Sequence, residues 1–184
     1  MTLSIDHSTE TSRPIRGDEV RRLLSDTTEL SARALLEDYG VIANLGPLPR
    51  VLLGMRPDQF ALVAFRGMGI SGTLGIGASV QSLRRSFQCD GREKDWLAEL
   101  GNQLFGRVKN EMLRLGIALQ PGLPRVVDGS QLPFLDRDEA EMWHLNTGDG
   151  VVSIGLIADV PHAVVPDMEL LNWDVPLEGE VLLF

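Results

Sequence analysis

The stretch at residues 95–109, DWLAELGNQLFGRVK, decides the fold of this chain. At roughly 100° per residue, a helix through this stretch and the residues that follow has one continuous apolar stripe. The stripe consists of Leu97, Leu100, Leu104, Val108, Met112 and Leu115. Glycines 101 and 106 lie inside the helix, although each costs about 1 kcal/mol relative to alanine. We therefore expect a long helix over residues 93–116 whose glycines serve a purpose other than helix stability.

Two further helices are predicted on the N-terminal side of this central helix. Apolar residues recur at helical spacing over residues 18–39, with Asp18 as an N-cap and Gly40 as a C-cap. The pattern breaks around residues 26–28, which indicates a kink or a second N-cap. A shorter helix is expected over residues 78–87.

Short runs of β-type residues lie between the first long helix and the short one. They cover residues 50–55, 59–66 and 70–77. The links between them are so short that antiparallel hairpins are favoured over parallel crossovers. This part of the chain is predicted to be a β-meander.

The second half of the chain repeats this order. Residues 125–128 form a short apolar run after the central helix, and runs at 140–146 and 151–158 flank Thr147-Gly148-Asp149-Gly150. Glycine and aspartate in such a link are typical of a hairpin turn. We predict an α+β fold, in which an antiparallel sheet packs against two long helices with a loose internal duplication.

A length of 184 residues suits a single domain, which we expect over residues 18–158. Residues 1–17 are rich in serine, threonine and charge, so they are predicted to be a disordered leader. Residues 159–184 form a C-terminal extension that contains three prolines. Either an edge strand or a partner-binding tail would account for it.

Composition excludes several classes of protein. A formal charge of −9 argues against a nucleic-acid-binding protein, which needs concentrated lysine and arginine. No apolar run approaches the roughly 18 residues that a membrane span requires. The first residues lack the features of a secretory signal, and Cys89 is the single cysteine. Both observations favour a cytoplasmic location.

Other motifs in the sequence have ordinary structural explanations. Residues 67–72 match the G-x-G-x-x-G pattern of dinucleotide sites, but more β-type residues follow where that motif requires a helix. A hairpin explains the same glycines. The three histidines have no metal-binding spacing, and the acidic cluster after Leu135 is typical of a solvated loop. That cluster consists of Asp136, Asp138, Glu139 and Glu141.

The polar face of the central helix is the candidate functional surface. It carries Asp95, Glu99, Asn102, Gly106 and Lys109, all roughly opposite the apolar stripe. A carboxylate can accept a hydrogen bond from a partner's ammonium, and an amide can hold a water molecule in a chosen direction. The glycine leaves a gap for a partner's backbone. A solvated helix surface without function would show similar residues.

The order Asp95-x-x-x-Glu99-x-x-Asn102, followed by Gly106 and later by Pro124, resembles the signature of the CheX/CheC/FliY family of chemotaxis response-regulator phosphatases. The helix-then-meander duplication resembles the fold of that family. The first helix has no Glu-x-x-Asn pair, since Ala32 follows Glu29 at the position of the amide. The resemblance is therefore to the CheX-like branch, with one site in the chain.

This resemblance implies that the chain is a phosphatase, a hydrolase of two-component signalling. Its substrate would be the aspartyl phosphate of a CheY-like receiver domain, with Asn102 orienting the water and Glu99 contacting the receiver's lysine. Asp95, Gly106 and Lys109 would contact the partner. The chain would need no cofactor of its own, because Mg²⁺ is expected on the receiver, and a homodimer is consistent with the family. A non-catalytic CheX-like binding or adaptor module is the alternative.

Overall fold

The structure is a computed structural model that describes residues 13–42, 57–87, 91–132, 140–167 and 170. Its helices and strands alternate much as the sequence predicts. In chain order they are β1 (Ile15–Arg16), α1 (Gly17–Asp38), β2 (Gln59–Gly67), β3 (Ile70–Ala78), α2 (Val80–Phe87), α3 (Glu93–Arg114), β4 (Gln120–Pro121), β5 (Arg125–Asp128), a 3-10 turn (Gly129–Gln131), β6 (Glu141–Thr147), β7 (Gly150–Asp159) and β8 (Ala163–Val164).

The first helix is continuous, so the predicted kink around residues 26–28 is wrong. Thr28 is buried in the middle of α1, and its hydroxyl donates to the carbonyl of Leu24 at 2.7 Å, which leaves the helical hydrogen bonds intact. Asp18 is not the N-cap as we expected. The cap is Arg16, whose guanidinium binds the Asp18 carboxylate at 2.9 Å inside the first turn.

The two long helices have the same length and the same ending. Both α1 and α3 contain 22 residues, and each is followed by a glycine with positive φ, Gly40 at 71° and Gly116 at 73°. Each glycine N–H and the N–H after it donate back into the last helical turn, which is the Schellman arrangement. The predicted C-terminal role of Gly40 is confirmed.

Six strands form the main sheet in the order β4-β2-β3-β7-β6, and β5 also pairs with β2. All pairings are antiparallel. The hairpins β2–β3 and β6–β7 each follow a long helix, and β3 and β7 meet at the centre, where Gly75 lies opposite Gly155. This arrangement confirms the α+β fold with a loose internal duplication.

The G-x-G-x-x-G run forms the turn between β2 and β3. Gly67 pairs with Ile70, and the two residues between them, Met68 and Gly69, have φ values of 54° and 79°. Two consecutive left-handed residues are typical of the tight turn that suits the twist of a hairpin. The hairpin interpretation is confirmed, because these glycines precede a strand instead of a helix.

Both long helices cover one face of the sheet and share one apolar core with it. Alternate residues of β2, including Ala61, Val63 and Phe65, point towards α3, as the period of two in a strand requires. On the other face a smaller cluster surrounds Phe60 and Ile157. This layered packing holds α3 against the sheet along its apolar stripe.

The ends of the domain differ from the predicted boundaries. Ile15–Arg16, placed in the leader, pairs with Ala163–Val164 of the C-terminal extension in a separate two-stranded sheet. Gly17 allows this contact, because a β-carbon there would lie 2.0 Å from the Pro161 carbonyl oxygen. Part of each predicted terminal segment therefore packs with the domain.

Several predictions fall outside the described residues. They concern the leader over residues 1–12, the run at 50–55, Cys89, His7, most of the acidic cluster (Asp136, Asp138 and Glu139) and the tail from residue 171 onwards. Within the part of the chain that is described, no helix is long and apolar enough to cross a membrane.

Candidate functional site

The predicted polar face of α3 points away from the sheet. Asp95, Glu99 and Asn102 are exposed, whereas Gly106 and Lys109 are partly exposed on the same side of the helix. Because helix neighbours lie three and four positions apart, Glu99 and Asn102 are adjacent on this surface. The structure thus places all five predicted site residues on one face.

The opposite face of α3 is the buried stripe, with two corrections. Leu115 is 37% exposed, because the helix ends at Arg114 and Leu115 is only its C-cap residue. Phe105, which the sequence analysis omitted, is buried and its ring lies 5.6 Å from that of Phe65. The stripe is therefore wider in the middle of the helix and shorter at its end than we predicted.

The two glycines of α3 have different environments. Gly101 is buried, and a β-carbon there would lie 3.1 Å from Cβ of Ala61 on β2. A β-carbon on Gly106 would meet nothing within 4 Å. Gly101 therefore serves the packing of helix on sheet, whereas Gly106 leaves open space beside Asn102 on the polar face.

Glu99 is held by a chain of hydrogen bonds that begins on α1. Gln103 Nε2 donates to Glu99 Oε1 at 2.9 Å, and Tyr39 Oη donates to Gln103 Oε1 at 2.9 Å. The Tyr39 ring packs edge-on against Trp96, with ring centroids 5.4 Å apart and an interplanar angle of 75°. One side of the polar face is thus connected to the last turn of α1.

A salt bridge supports the same helix junction. Arg107 Nη2 lies 2.5 Å from Asp38 Oδ2, one residue before Tyr39 in the chain. Tyr39 at the end of α1 contacts Trp96 near the start of α3, while the middle of α1 lines a cavity together with Arg114, so the two helices run antiparallel. The junction fixes α1 next to the candidate site.

The side chain of Asn102, unlike that of Glu99, has no hydrogen-bond partner within the described part of the chain, and the residue is exposed. An amide carries donors and an acceptor, so it can bind both a water molecule and a phosphoryl oxygen. The two neighbours thus differ: one side chain is held in place and the other is free to bind.

The positions of α1 that correspond to Glu99 and Asn102 do not carry a carboxylate followed by an amide. When α1 and α3 are aligned from their first residues, Gly17 and Glu93, the positions of Glu99, Asn102 and Gly106 correspond to Leu23, Asp26 and Leu30. An aliphatic side chain replaces the first carboxylate, and Leu30 is 66% exposed where Gly106 leaves a gap. That the chain has one site stays a prediction.

The site is a convex helix surface instead of a cavity. The cavity between α1 and α3 has a volume of about 290 Å³ and is lined further along α3, by residues such as Arg107, Asn110 and Arg114. Small ligands are usually enclosed in concave sites. The exposed ridge with Glu99 and Asn102 is better suited to another macromolecule.

Among the described residues, no group of three or more histidine, cysteine, aspartate or glutamate side chains is placed to hold a metal ion. Glu99 and Asn102 are neighbours on the helix surface, whereas Asp95 and Lys109 lie towards the two ends of the polar face.

Solved structures similar to this one have low sequence identity but extensive overlap. A CheC-like superfamily protein from Shewanella sp. PV-4 has a TM-score of 0.59 at 17% identity, over 74% of this chain and 97% of that one. The chain has the CheC-like fold. Neither a family model nor a curated protein matches the sequence.

Two chemotaxis proteins of known structure share this fold. The chemotaxis protein CheX from Vibrio vulnificus has a TM-score of 0.61 at 15% identity, covering 74% of this chain and 96% of that one. The CheX–CheY–BeF3–Mg²⁺ complex from Borrelia burgdorferi has a TM-score of 0.52 at 14% identity, covering 75% of this chain and 96% of that one. At these identities the comparison concerns the fold.

Proposed function

We propose that this chain is a CheX-like phosphatase that hydrolyses the aspartyl phosphate of a CheY-like receiver domain. The observation that supports it most is the adjacency of exposed Glu99 and Asn102 on the ridge of α3, next to the open space at Gly106. A structure with the same fold is a complex of CheX with CheY. A convex ridge with these groups suits insertion into the active site of a partner protein.

The proposed chemistry requires few groups from this chain. Asn102 would hold a water molecule in line with the phosphorus. The oxygen of that water would bond to phosphorus as the bond between phosphorus and the aspartyl oxygen breaks. The products are the free aspartate carboxylate and inorganic phosphate, and the phosphate carries the oxygen and both protons of the water. Positioning and electrostatics dominate such reactions.

Glu99 would make the main charged contact with the receiver. A carboxylate on an exposed ridge can bind a lysine ammonium, and charge-assisted hydrogen bonds of this kind are stronger than neutral ones. Mg²⁺ is expected on the receiver, where it would reduce the negative charge around the phosphoryl group. Asp95 and Lys109 would contact the partner at either end of the ridge.

The test is the rate of phosphate loss from a purified CheY-like receiver labelled by a small phosphodonor. The wild type should exceed autodephosphorylation of the receiver. Asn102→Ala should lower the rate by about 100-fold, the effect of misplacing a reacting group. Glu99→Ala should raise KM by about tenfold or more, the effect of losing a hydrogen bond to a charged group.

Matched controls come from the same helix. Asn110→Ala and Glu111→Ala remove the same amide and carboxylate groups two to three turns further along α3, beyond Gly106. Both should keep the wild-type rate. A wild type that fails to accelerate phosphate loss would disprove the phosphatase, and receiver binding without acceleration would establish the non-catalytic module. The homodimer and the cytoplasmic location stay predictions.

A further inference from the structure

We infer that Tyr39 and Gln103 are positioning residues that hold the carboxylate of Glu99 in the orientation needed by a receiver. This inference rests on the proposed function and deepens it. It assigns a task to the end of α1, which contributes no residue to the predicted site.

The first step concerns the freedom of Glu99. A long, exposed side chain on a helix samples several rotamers, and that freedom has to be lost when a partner docks. The hydrogen bond from Gln103 Nε2 fixes Glu99 Oε1 at 2.9 Å before docking. Among the described residues no hydrogen bond to Glu99 Oε2 is found, so that oxygen can accept from a partner's ammonium.

The second step concerns the direction of the Gln103 amide. An amide can turn either its NH₂ group or its oxygen towards a neighbour, and an oxygen would repel the Glu99 carboxylate. The Tyr39 hydroxyl donates to Gln103 Oε1, which leaves the NH₂ group for Glu99. The phenol therefore selects the attractive orientation.

The third step concerns Tyr39 itself. It is the C-cap residue of α1, its backbone N–H donates to Leu36 O at 3.1 Å, and its ring packs edge-on against Trp96. Trp96 precedes Glu99 by one turn of α3, and Gln103 follows Glu99 by one turn. The ring and the hydroxyl of Tyr39 therefore contact α3 on the two sides of Glu99. The Tyr39 side chain that begins the hydrogen-bond chain is thus partly buried against the core, whereas Glu99 at its other end is exposed.

The internal duplication provides an independent comparison. Leu115 has the C-cap position of α3 that Tyr39 has in α1, and Thr27 matches Gln103 when the helices are aligned from their first residues. Neither residue can reproduce the phenol–amide chain. Among the described residues, the phenol–amide hydrogen-bond chain is therefore found beside Glu99 and has no counterpart at the end of α3.

The experiment has one arm on the free protein. Nitrogen relaxation of the Gln103 side-chain amide should show an ordered group in the wild type and a mobile one in Tyr39→Phe, which keeps the ring but removes the hydroxyl. An amide equally mobile in both proteins would overturn the inference, whatever the protein does to a receiver.

The second arm measures kcat and KM for phosphate loss from a labelled CheY-like receiver. Tyr39→Phe and Gln103→Met should each lower kcat/KM by about two- to tenfold, the range for one neutral hydrogen bond. Because Tyr39 acts through Gln103, the double variant should be no slower than Gln103→Met alone. Losses that multiply would indicate independent structural roles and overturn the inference.

Asp38→Asn is the matched control, since it removes a neighbouring link between the same helices without touching the hydrogen-bond chain. It should lower the melting temperature and leave kcat/KM unchanged. If the wild type is active and Tyr39→Phe is equally active, the positioning role is contradicted and the proposed function is not. An inactive wild type contradicts the proposed function, and the relaxation arm then decides whether Tyr39 orders the Gln103 amide.

Discussion

Gly101 on α3 and Ala61 on β2 are so close that a β-carbon built on the glycine would lie 3.1 Å from Cβ of the alanine. The helix backbone therefore rests directly on the sheet at this point. One turn further on, the space around Gly106 is open. Two glycines in one helix thus allow two opposite tests.

Gly101→Val should destabilise the fold by about 1–3 kcal/mol, the usual cost of overpacking. The branched side chain would press against Ala61, Val63 and Ile76. Urea unfolding measures the loss. Gly106→Val is the control and should change the unfolding free energy by only about a few tenths of a kcal/mol. Equal stability of the two variants would contradict the packing role of Gly101.

Gly106→Ala should raise stability and lower activity at once. Alanine gains about 1 kcal/mol of helix propensity over glycine, and the new methyl group meets no neighbour. On the proposed surface that methyl group would stand where the receiver approaches, so KM for the phosphorylated receiver should rise. Thermal unfolding and phosphate release measure the two effects. Unchanged kinetics would show that the gap does not serve the partner.

The two helix-ending glycines should respond differently to alanine. Both have a left-handed backbone, which costs a non-glycine residue roughly 1–2 kcal/mol. A β-carbon on Gly40 meets nothing, but one on Gly116 would lie 3.0 Å from Asp167 O and from Pro166 Cβ. Gly116→Ala should therefore lower the melting temperature more than Gly40→Ala. If Gly40→Ala lowers the melting temperature more, residues 166–167 must move away from the new methyl group at little cost.

Glu93 should make stability depend on pH in the acidic range. The hydrogen bond from Arg84, with backbone N–H groups of Glu93 and Gly91, lowers the pKa of this carboxyl from 4.5 to about 2. Because the folded pKa is depressed, the stabilisation is present above about pH 4.5 and is lost as the pH falls towards 2. Glu93→Gln should thus be less stable than the wild type at neutral pH.

The measurement for Glu93 is urea unfolding of both proteins at a series of pH values. The difference between the two unfolding free energies should shrink as the pH falls through the range from about 4.5 to 2. Arg84→Gln should show the same trend, since it removes the partner at 2.5 Å. A difference that stays constant down to the lowest pH would refute the link between Arg84 and Glu93.

Local sequence patterns were sufficient for much of the fold. Helical spacing and hairpin signals act over a few residues, which is why α3 and the turn at Met68-Gly69 lie where we predicted them. The side of α3 that carries Glu99 and Asn102 also follows from spacing, since a period of 3.6 fixes which residues face the core.

Contacts between distant segments were not predictable in this way. Gln103 could have been noticed from the sequence, because it lies four residues after Glu99 on the same helix. Tyr39 could not, since only the antiparallel packing of α1 on α3 brings its hydroxyl to Gln103. The pairing of Ile15–Arg16 with Ala163–Val164 is equally non-local, and two-residue strands carry too little pattern to be recognised.

The equal lengths and endings of α1 and α3 have a consequence for stoichiometry. Each of these helices has an exposed ridge, but the carboxylate–amide pair, Glu99 and Asn102, is on α3. Under the proposed function each chain should therefore bind one receiver. A titration of the chain with a CheY-like receiver should saturate at one equivalent. The other helix has Leu23 and Asp26 at the corresponding positions. According to our inference, Tyr39 at the end of α1 instead orients Glu99 on α3, so the two halves of the duplicated domain would have different tasks.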